Sequence, residues 1–263
     1  METAFDSARR FGGLDRLYGA GPAQSIRAAH VAVVGIGGVG SWAAESLARS
    51  GVGHITLIDL DHIAESNVNR QVHALDTTLG QAKVEAMAQR IALINPQAVV
   101  RCIDDFVTPE NWPQILPADV DAVIDACDHA QAKYAMMCWS LRQKNMAFVS
   151  CGAAGGKRMA HAAQVQDLAG VTHDPLLSRL RYRLRREKKV SPTAASMRIA
   201  CVFSREAVQK SQQVCDVQSD SSLNCHGYGS SVTVTAVFGM VAAGYVMEKI
   251  AARQKPGRNG AII

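Results

Sequence analysis

The sequence lacks paired cysteines. Its 263 residues include 7 cysteines, and no two of them stand in a C-x-x-C pair. Zinc sites built from such pairs are therefore excluded, and we predict a protein without zinc. The odd number and irregular spacing of the cysteines also argue against a disulfide scaffold. Reduced thiols in a cytoplasmic protein are the expectation.

The sequence also lacks an apolar run at its start and any large excess of charge. The first ten residues contain no stretch typical of a signal peptide. The net charge is +5, with 19% charged and 48% hydrophobic residues, which indicates a globular protein. Ser230–Met247 carries no charged residue. Hydropathy alone would allow a membrane span there, but the many small and hydroxyl residues favour a buried helix at a core or subunit interface.

Short apolar strands alternate with helical stretches through the first 150 residues. This alternation predicts a doubly wound, Rossmann-like α/β fold with a mostly parallel sheet and helices on both faces. The predicted strands are His30–Val34, His54–Asp59, Val99–Ile103, Val120–Ala126 and Met146–Ser150. The predicted helices are Val39–Ser50, Gln81–Ile94 and Ala130–Lys144.

The second half predicts a smaller part with mixed strands. Ala160–Leu168 and Arg198–Ser204 are candidate strands, and Leu176–Lys189 is a strongly basic helix with one leucine stripe. Ser204–His226 is polar and predicts a long mobile loop. The apolar helix then extends over about residues 230–252.

A glycine-rich loop follows the first predicted strand and opens a helix. Its glycines let the backbone approach a phosphate, which the N–H groups of the helix N-terminus can bind. Asp59 ends the next strand, where a carboxylate can bind a ribose hydroxyl. This pattern fits NAD, FAD and ATP equally. The loop glycines are Gly35, Gly37, Gly38 and Gly40.

Cations after the second strand favour a triphosphate. Arg70 and Lys83 follow Asp59, and a dinucleotide enzyme has no special need for them there. ATP does need them, because charge on its phosphates must be neutralised during phosphorus transfer. Taken singly, each cation could equally be a solvated surface charge.

Together these residues resemble the adenylation core of the ubiquitin-activating-enzyme superfamily. The resemblance rests on Gly35–Gly40, Asp59–Asp61, Asn67–Gln71, Lys83 and Asp125–Asp128. It implies a homodimer that uses Mg-ATP to activate a carboxylate, and an ATP-binding core over residues 1–156 that residues 157–263 complete. By position, the glycine loop, Asp61, Asn67, Arg70, Gln71 and Lys83 would bind the nucleotide, Asp59 the ribose, and Asp128 would lie near Mg²⁺. Arg70, Lys83 and Asp128 would be catalytic.

Further segments resemble one branch, the tRNA threonylcarbamoyladenosine dehydratases. They are RFGGLDRLYG, GIGGVGSWAAESLARSG, NVNRQVHAL and CHGYGSSVTVTAVFG. The branch implies ATP-dependent closure of the threonylcarbamoyl group beside the tRNA anticodon into a ring, with net loss of water. It also implies a bound monovalent cation, Na⁺ or K⁺, and links to a cysteine desulfurase and its sulphur-acceptor protein. Gly13 stands where sulphur-carrier activators have an arginine that crosses the dimer, and we expect Arg16 to replace it.

Two further features carry predictions. The basic helix is expected to bind tRNA phosphates. Cys225 is a candidate catalytic thiol, a sulphur acceptor or a buried small residue, and the sequence leaves these three open. It also leaves open whether AMP or ADP is released. The predicted tRNA-binding cations are Arg179, Arg181, Arg183, Arg185, Arg186, Lys188 and Lys189.

Three rival functions remain at this point. An activator of a ubiquitin-like sulphur carrier fits the core, but the paired zinc cysteines of those proteins are missing. An NAD-dependent dehydrogenase would give Arg70 no role. A non-catalytic adaptor for a desulfurase would bind its partner without ATP turnover.

Overall fold

The computed structural model describes residues 5–209 and 228–253. Its seven α-helices and seven strands alternate through most of that range. The helices are α1 (Ser7–Tyr18), α2 (Ala20–Ala28), α3 (Gly40–Arg49), α4 (Lys83–Ile94), α5 (Ala130–Ser140), α6 (Pro175–Arg186) and α7 (Val232–Ala252). The strands are β1 (His30–Val34), β2 (His54–Ile58), β3 (Val99–Ile103), β4 (Ala122–Asp125), β5 (Ala147–Cys151), β6 (Ala163–Asp167) and β7 (Ala200–Ser204).

The strands form one sheet in the order β3-β2-β1-β4-β5-β7-β6. All neighbours pair in parallel except β6 and β7, which are antiparallel. This confirms the predicted doubly wound, mostly parallel fold with mixed strands in the C-terminal part. Because β1 lies between β2 and β4, the chain leaves the sheet centre in opposite directions, and such a switch point opens a crevice at the carboxyl ends of the strands.

Each face of the sheet carries its own apolar core. Successive side chains of a strand point to opposite faces. In β1, Val31 and Val33 therefore pack under α3, α4 and α7, while Ala32 and Val34 pack under α5 and α6. The continuous apolar character of β1 is what burial on both faces requires.

The uncharged segment forms α7, which packs along α3 as part of the core. A Cβ on Gly239 would lie 2.3 Å from the carbonyl oxygen of Val39, so this glycine permits the close approach of the two helices. Among the described helices, α7 has the length and apolar composition of a membrane span, but 56% of its most apolar window is buried in the protein. Helix α7 therefore packs as the buried helix that the sequence predicted.

Several predicted boundaries were wrong. The strand predicted over Ala160–Leu168 is shorter, because residues 160–162 form a 3₁₀ turn before β6. The basic helix ends at Arg186 rather than Lys189, where Lys188 adopts a positive φ of 54°. Helices α1 and α2 were not predicted. Most of the predicted loop 204–226, including Cys225, lies outside the described residues.

Candidate functional site

The glycine loop turns sharply from β1 into α3 and lies against the turn after β4. Gly35 has a φ of 84°, and a Cβ there would lie 2.7 Å from the backbone nitrogen of Cys127. A Cβ on Gly40 would lie 1.8 Å from the carbonyl oxygen of Gly35. A Cβ on Gly37 would meet nothing within 4 Å. The loop is therefore closed on its inner side and open at Gly37, beside the N-terminus of α3.

Asp59 follows β2 and holds the loop in place. Its carboxylate accepts hydrogen bonds from the backbone N–H groups of Ile36 (2.5 Å) and Asp61 (2.8 Å). Burial raises the pKa of Asp59 above its usual range, although the positive charge of Lys83 opposes the shift. Asp59 therefore links the ends of β1 and β2. A ribose bound by Asp59 would lie next to the glycine loop.

Lys83 begins α4 and pairs with Asp61. Its Nζ lies 2.6 Å from Oδ2 of Asp61, and the exposed fractions of the two side chains are 6% and 50%. His73 is buried nearby, and neither of its ring nitrogens has a hydrogen-bond partner among the described residues. Burial, reinforced by Lys83 and Arg90, lowers the pKa of His73 to about 4. The surroundings of Lys83 therefore disfavour a further positive charge.

Three more predicted nucleotide contacts lie on the turn between β2 and α4. Asn67 accepts a hydrogen bond from the N–H of Ala64 through its side chain (3.1 Å) and so shapes the turn. Arg70 donates to the carbonyl of Ser66 (2.7 Å) and to the side chain of Asn69 (2.9 Å). Gln71 is buried, and within the part of the chain that the structure describes its Oε1 has no hydrogen-bond partner.

A cavity of about 170 Å³ lies at the carboxyl ends of β1, β4 and β5. Gly38, Arg70 and Asp128 line it, and so does Arg179 from the start of α6. The structure thus brings predicted phosphate-binding residues together with the first cation of the basic helix. Asp59, Asp61 and Lys83 lie beside them at the end of β2, joined to the glycine loop through Asp59.

A buried ion pair beneath this cavity was missed by the sequence analysis. Lys133 of α5 lies 3.0 Å from Asp125 at the end of β4, and both side chains are essentially unexposed. Its Nζ also donates to the carbonyl of Cys151 (2.7 Å), while the hydroxyl of Ser150 donates to Asp125 (2.5 Å). Burial alone lowers the pKa of Lys133, but the Asp125 carboxylate outweighs it and raises the pKa above the usual range. A lysine on the buried face of α5 was the available signal.

The thiol of Cys127 joins this network. It donates to Oδ1 of Asp125 at 3.2 Å. Burial, together with the Asp125 charge, raises the pKa of Cys127 well above its usual range, and burial raises that of Cys151 to about 12. Both thiols therefore stay protonated at neutral pH and pack as small side chains.

The basic helix α6 has two kinds of arginine. Arg181 donates to the backbone carbonyls of Leu168 (3.2 Å) and Val171 (2.6 Å). Arg183 lies 3.8 Å over the ring of Tyr134 and pairs with Glu187 at 2.8 Å. Arg181, Arg183 and Arg185 are half-buried, whereas the other four predicted tRNA-binding cations are exposed. Part of the basic run therefore holds the helix on the protein. The exposed cations are Arg179, Arg186, Lys188 and Lys189.

Arg16 does not reach the cavity of its own chain. It is exposed near the end of α1, and Arg10 of that helix donates to the carbonyl of Ile94 at the end of α4 (2.7 Å). The end of α4 faces the amino ends of the strands, opposite the cavity. Cys225 lies outside the described residues.

Comparison with known proteins places this architecture in a family. Residues 12–261 match the ThiF family. The chain is 43% identical over 254 residues to tRNA threonylcarbamoyladenosine dehydratase of Escherichia coli (strain K12), covering 93% of this chain and 94% of that one. It is 39% identical over 244 residues to the enzyme of the same name from Haemophilus influenzae, covering 92% and 93%.

A solved structure adds a nucleotide to the comparison. The crystal structure of E. coli tRNA N6-threonylcarbamoyladenosine dehydratase in complex with ATP superimposes with a TM-score of 0.84 at 42% identity. The match covers 96% of this chain and 100% of that chain. Sequence and fold agree over nearly the whole length: the chain belongs to the ThiF family.

Proposed function

We propose that this protein is an ATP-dependent tRNA threonylcarbamoyladenosine dehydratase. One observation carries the proposal: Gly38, Arg70 and Asp128 share a cavity with Arg179 of the basic helix. Residues that can bind nucleotide phosphates and an arginine that can bind RNA therefore line the same cavity. The similarity to enzymes with this activity along nearly the entire chain supports it.

The residues present fit ATP as a substrate. The open space at Gly37, beside the first turn of α3, suits a phosphate that accepts backbone N–H hydrogen bonds. Oε1 of buried Gln71 accepts no hydrogen bond from residues 5–209 or 228–253, so it can accept one from a bound ligand. We assign nucleotide binding to the glycine loop, Asp59, Asp61, Asn67, Arg70, Gln71 and Lys83.

Asp128 is the proposed Mg²⁺ ligand. Within the described residues, no three His, Cys, Asp or Glu side chains are arranged to hold a metal. One carboxylate nevertheless suffices, because protein-bound Mg²⁺ usually takes its other ligands from substrate phosphates and water. When bound, Mg²⁺ would neutralise phosphate charge beside Asp128.

The proposed reaction removes one water from the modified adenosine. The threonyl carboxylate oxygen attacks a phosphorus of ATP and expels a phosphate-containing leaving group. The ureido group then attacks the activated carbonyl carbon, gives up one proton and closes the ring. The phosphoryl fragment bound to the carboxylate, AMP or inorganic phosphate, leaves with the former carboxylate oxygen. Arg70 and Lys83 would stabilise the negative charge that spreads over the phosphates in the first step. Their bonds to Ser66, Asn69 and Asp61 hold both cations near the loop.

A homodimer is part of the proposal. The side of α7 that faces away from the core keeps apolar residues exposed or half-exposed, including Val232, Val237 and Met240. A second copy would cover them and bring Arg16 of one chain towards the other. A catalytic Cys225, a monovalent cation, a sulphur-relay partner and a cytoplasmic location remain predictions of the sequence and its resemblance alone.

Nucleoside mass spectrometry tests the function. The protein is incubated with Mg²⁺, ATP and tRNA that carries threonylcarbamoyladenosine, and we expect the modified nucleoside to lose the mass of one water only when ATP is present. Release of AMP or of ADP in the same reaction identifies the attacked phosphorus. ATP–pyrophosphate exchange that needs a ubiquitin-like carrier protein and ignores tRNA would overturn the proposal in favour of a sulphur-carrier activator.

A matched pair of variants ties the function to the cavity. Arg70→Ala should abolish most dehydration, because the cation leaves the phosphate site. Arg49→Ala is the control. The Arg49 side chain is 61% exposed on α3, and among the described residues it forms an ion pair only with Glu45. Equal activity of the two variants would contradict the assignment of Arg70.

A further inference from the structure

Helix α6 carries an outward stripe made of Arg179, Tyr182 and Arg186. These residues are three and four positions apart, so they lie on one side of the helix. The opposite side is buried through Leu176, Leu177, Leu180 and Leu184. The stripe lines a shallow groove of about 450 Å³.

Tyr182 is the unusual member of the stripe. It is 66% exposed, whereas most large apolar side chains of α6 are buried. The guanidinium carbon of Arg186, whose side chain is 63% exposed, lies 5.8 Å from the centre of the Tyr182 ring. An exposed aromatic ring beside exposed arginines is the combination that stacks on nucleic-acid bases and binds the neighbouring phosphates.

The helix is firmly held, so the stripe is presented in a fixed position. Asp174 caps α6 by accepting the N–H of Leu177 (3.0 Å) and also accepts the N–H of Ala153 (2.9 Å) after β5. Arg181 and Arg183 fasten the helix to the protein by the contacts described above. A fixed surface loses little conformational entropy when it binds its ligand.

The stripe begins at the proposed nucleotide cavity. Arg179 lines both that cavity and the groove. From Arg179 to Arg186 the helix rises about 10 Å, which is about the length of three stacked nucleotides. A modified adenosine that enters the cavity would therefore place its neighbours in the same strand along the stripe.

We propose that this stripe binds unpaired nucleotides next to the modified adenosine, with the Tyr182 ring stacked on a base and Arg179 and Arg186 on phosphates. This inference rests on the proposed tRNA substrate. The sequence predicted RNA binding by the whole basic run. The proposal limits it to the outward side of α6 and to unpaired loop nucleotides. Single-stranded loops are where proteins stack on RNA bases, since paired bases are covered.

The test measures binding of the full-length protein to an anticodon stem-loop that carries threonylcarbamoyladenosine and 2-aminopurine beside it. Tyr182→Ala should weaken binding about ten-fold, the effect of losing one stacked base. It should also abolish the change in 2-aminopurine fluorescence, and Tyr182→Trp should restore both. Arg186→Ala should reduce the slope of log affinity against log salt by about one, whereas Tyr182→Ala should leave that slope unchanged.

Controls separate stacking from general attraction. Arg49→Ala should bind as the unchanged protein does, and a fully paired RNA hairpin should bind Tyr182→Ala and unchanged protein equally. Equal loss of affinity for the paired hairpin, or unchanged stem-loop binding by Tyr182→Ala, overturns the stacking proposal. If Tyr182→Ala keeps full RNA affinity but loses an acidic protein partner, the stripe is a protein surface and the proposal is wrong.

The outcome is distinguishable from failure of the proposed function. If the unchanged protein binds the stem-loop through Tyr182 but does not remove water with ATP, the function fails and the stripe stands. If the unchanged protein removes water while Tyr182→Ala and Arg186→Ala bind the stem-loop normally, the stripe proposal is wrong and the proposed function stands.

Discussion

Strands β2 and β4 flank β1, and a lysine–aspartate ion pair lies near the carboxyl end of each. The two pairs differ in how far they are exposed. After β2, Lys83 pairs with Asp61, whose side chain is 50% exposed. At the end of β4, Lys133 pairs with Asp125, and neither side chain has more than 1% exposed. In the first pair only the carboxylate reaches the surface, beside the glycine loop, while Lys83 is 6% exposed; the second pair lies wholly under the cavity.

The difference teaches what each pair can do. A half-exposed carboxylate can release its lysine, because water solvates the charge left behind. A buried pair cannot separate without leaving a charge in a medium that solvates it poorly. Ser150 and the carbonyl of Cys151 also bind the Asp125–Lys133 pair. We therefore infer that Lys83 serves the substrate and Lys133 serves the structure.

The largest expected effect is on the buried pair. Lys133→Met leaves Asp125 charged and unpaired, so the free energy of unfolding should fall by about 3–5 kcal/mol. Urea denaturation measures it. Lys133→Met combined with Asp125→Leu removes both charges and should recover part of the loss. A loss below about 1 kcal/mol in the single variant would break the comparison.

The next effect separates activity from stability. Lys83→Met should lower kcat/KM for dehydration by about 10²–10³-fold, the range for removing one group that stabilises developing charge. Its free energy of unfolding should change much less than that of Lys133→Met. Steady-state kinetics and urea denaturation on the same preparation check both. Parallel losses of folding and activity would instead make Lys83 structural.

The surroundings of Lys83 also predict a pH dependence through His73. Its pKa is lowered to about 4 by burial, Lys83 and Arg90, so the unfolded chain binds this proton more tightly than the folded one. Stability is therefore lost as pH falls from about 6.5 towards 4, by about 2 kcal/mol between about pH 7 and pH 5. In His73→Gln this part of the pH dependence should vanish, as denaturation at the two pH values would show. An unchanged pH slope would mean that another group titrates there.

The smallest effect is expected at the exposed carboxylate. Asp61→Asn should change the free energy of unfolding by less than about 1 kcal/mol, because the Asp61 carboxylate is half-exposed and Asp59 remains near Lys83 to balance its charge. Asp125→Asn is the matched substitution at the buried pair and should cost clearly more. Thermal denaturation of the two variants measures the difference. Equal shifts in Tm would show that the two ion pairs contribute equally to stability.

The fold was predictable because its signals are local. Six of the seven strands lie within two residues of their predicted bounds, since an apolar run between turn residues marks a strand. The bounds of β6 and of α6 were less accurate. They depend on a turn at residues 160–162 and on the positive φ of Lys188, which no periodicity encodes.

The site was predictable only in part. The glycine loop and Asp59 follow strand ends, so the fold itself brings them together. The Asp125–Lys133 pair was missed, because the contacts of Lys133 come from Ser150 and Cys151 on a different strand. Its burial at 0% exposed depends on how α5 packs over the sheet.

The sequence by itself determined the alternation of strands and helices from β1 onward, the tight turn at Gly35 and the presence of a basic helix. These follow from periodicity, from the sterics of glycine and from charge, which neighbouring residues settle among themselves. Only the tertiary structure decided which lysine–aspartate pair is wholly buried and which arginines of α6 face outward. Those outcomes depend on segments distant in the sequence. The guanidinium of Arg183 packs on the ring of Tyr134, and Arg181 donates hydrogen bonds to the carbonyls of Leu168 and Val171.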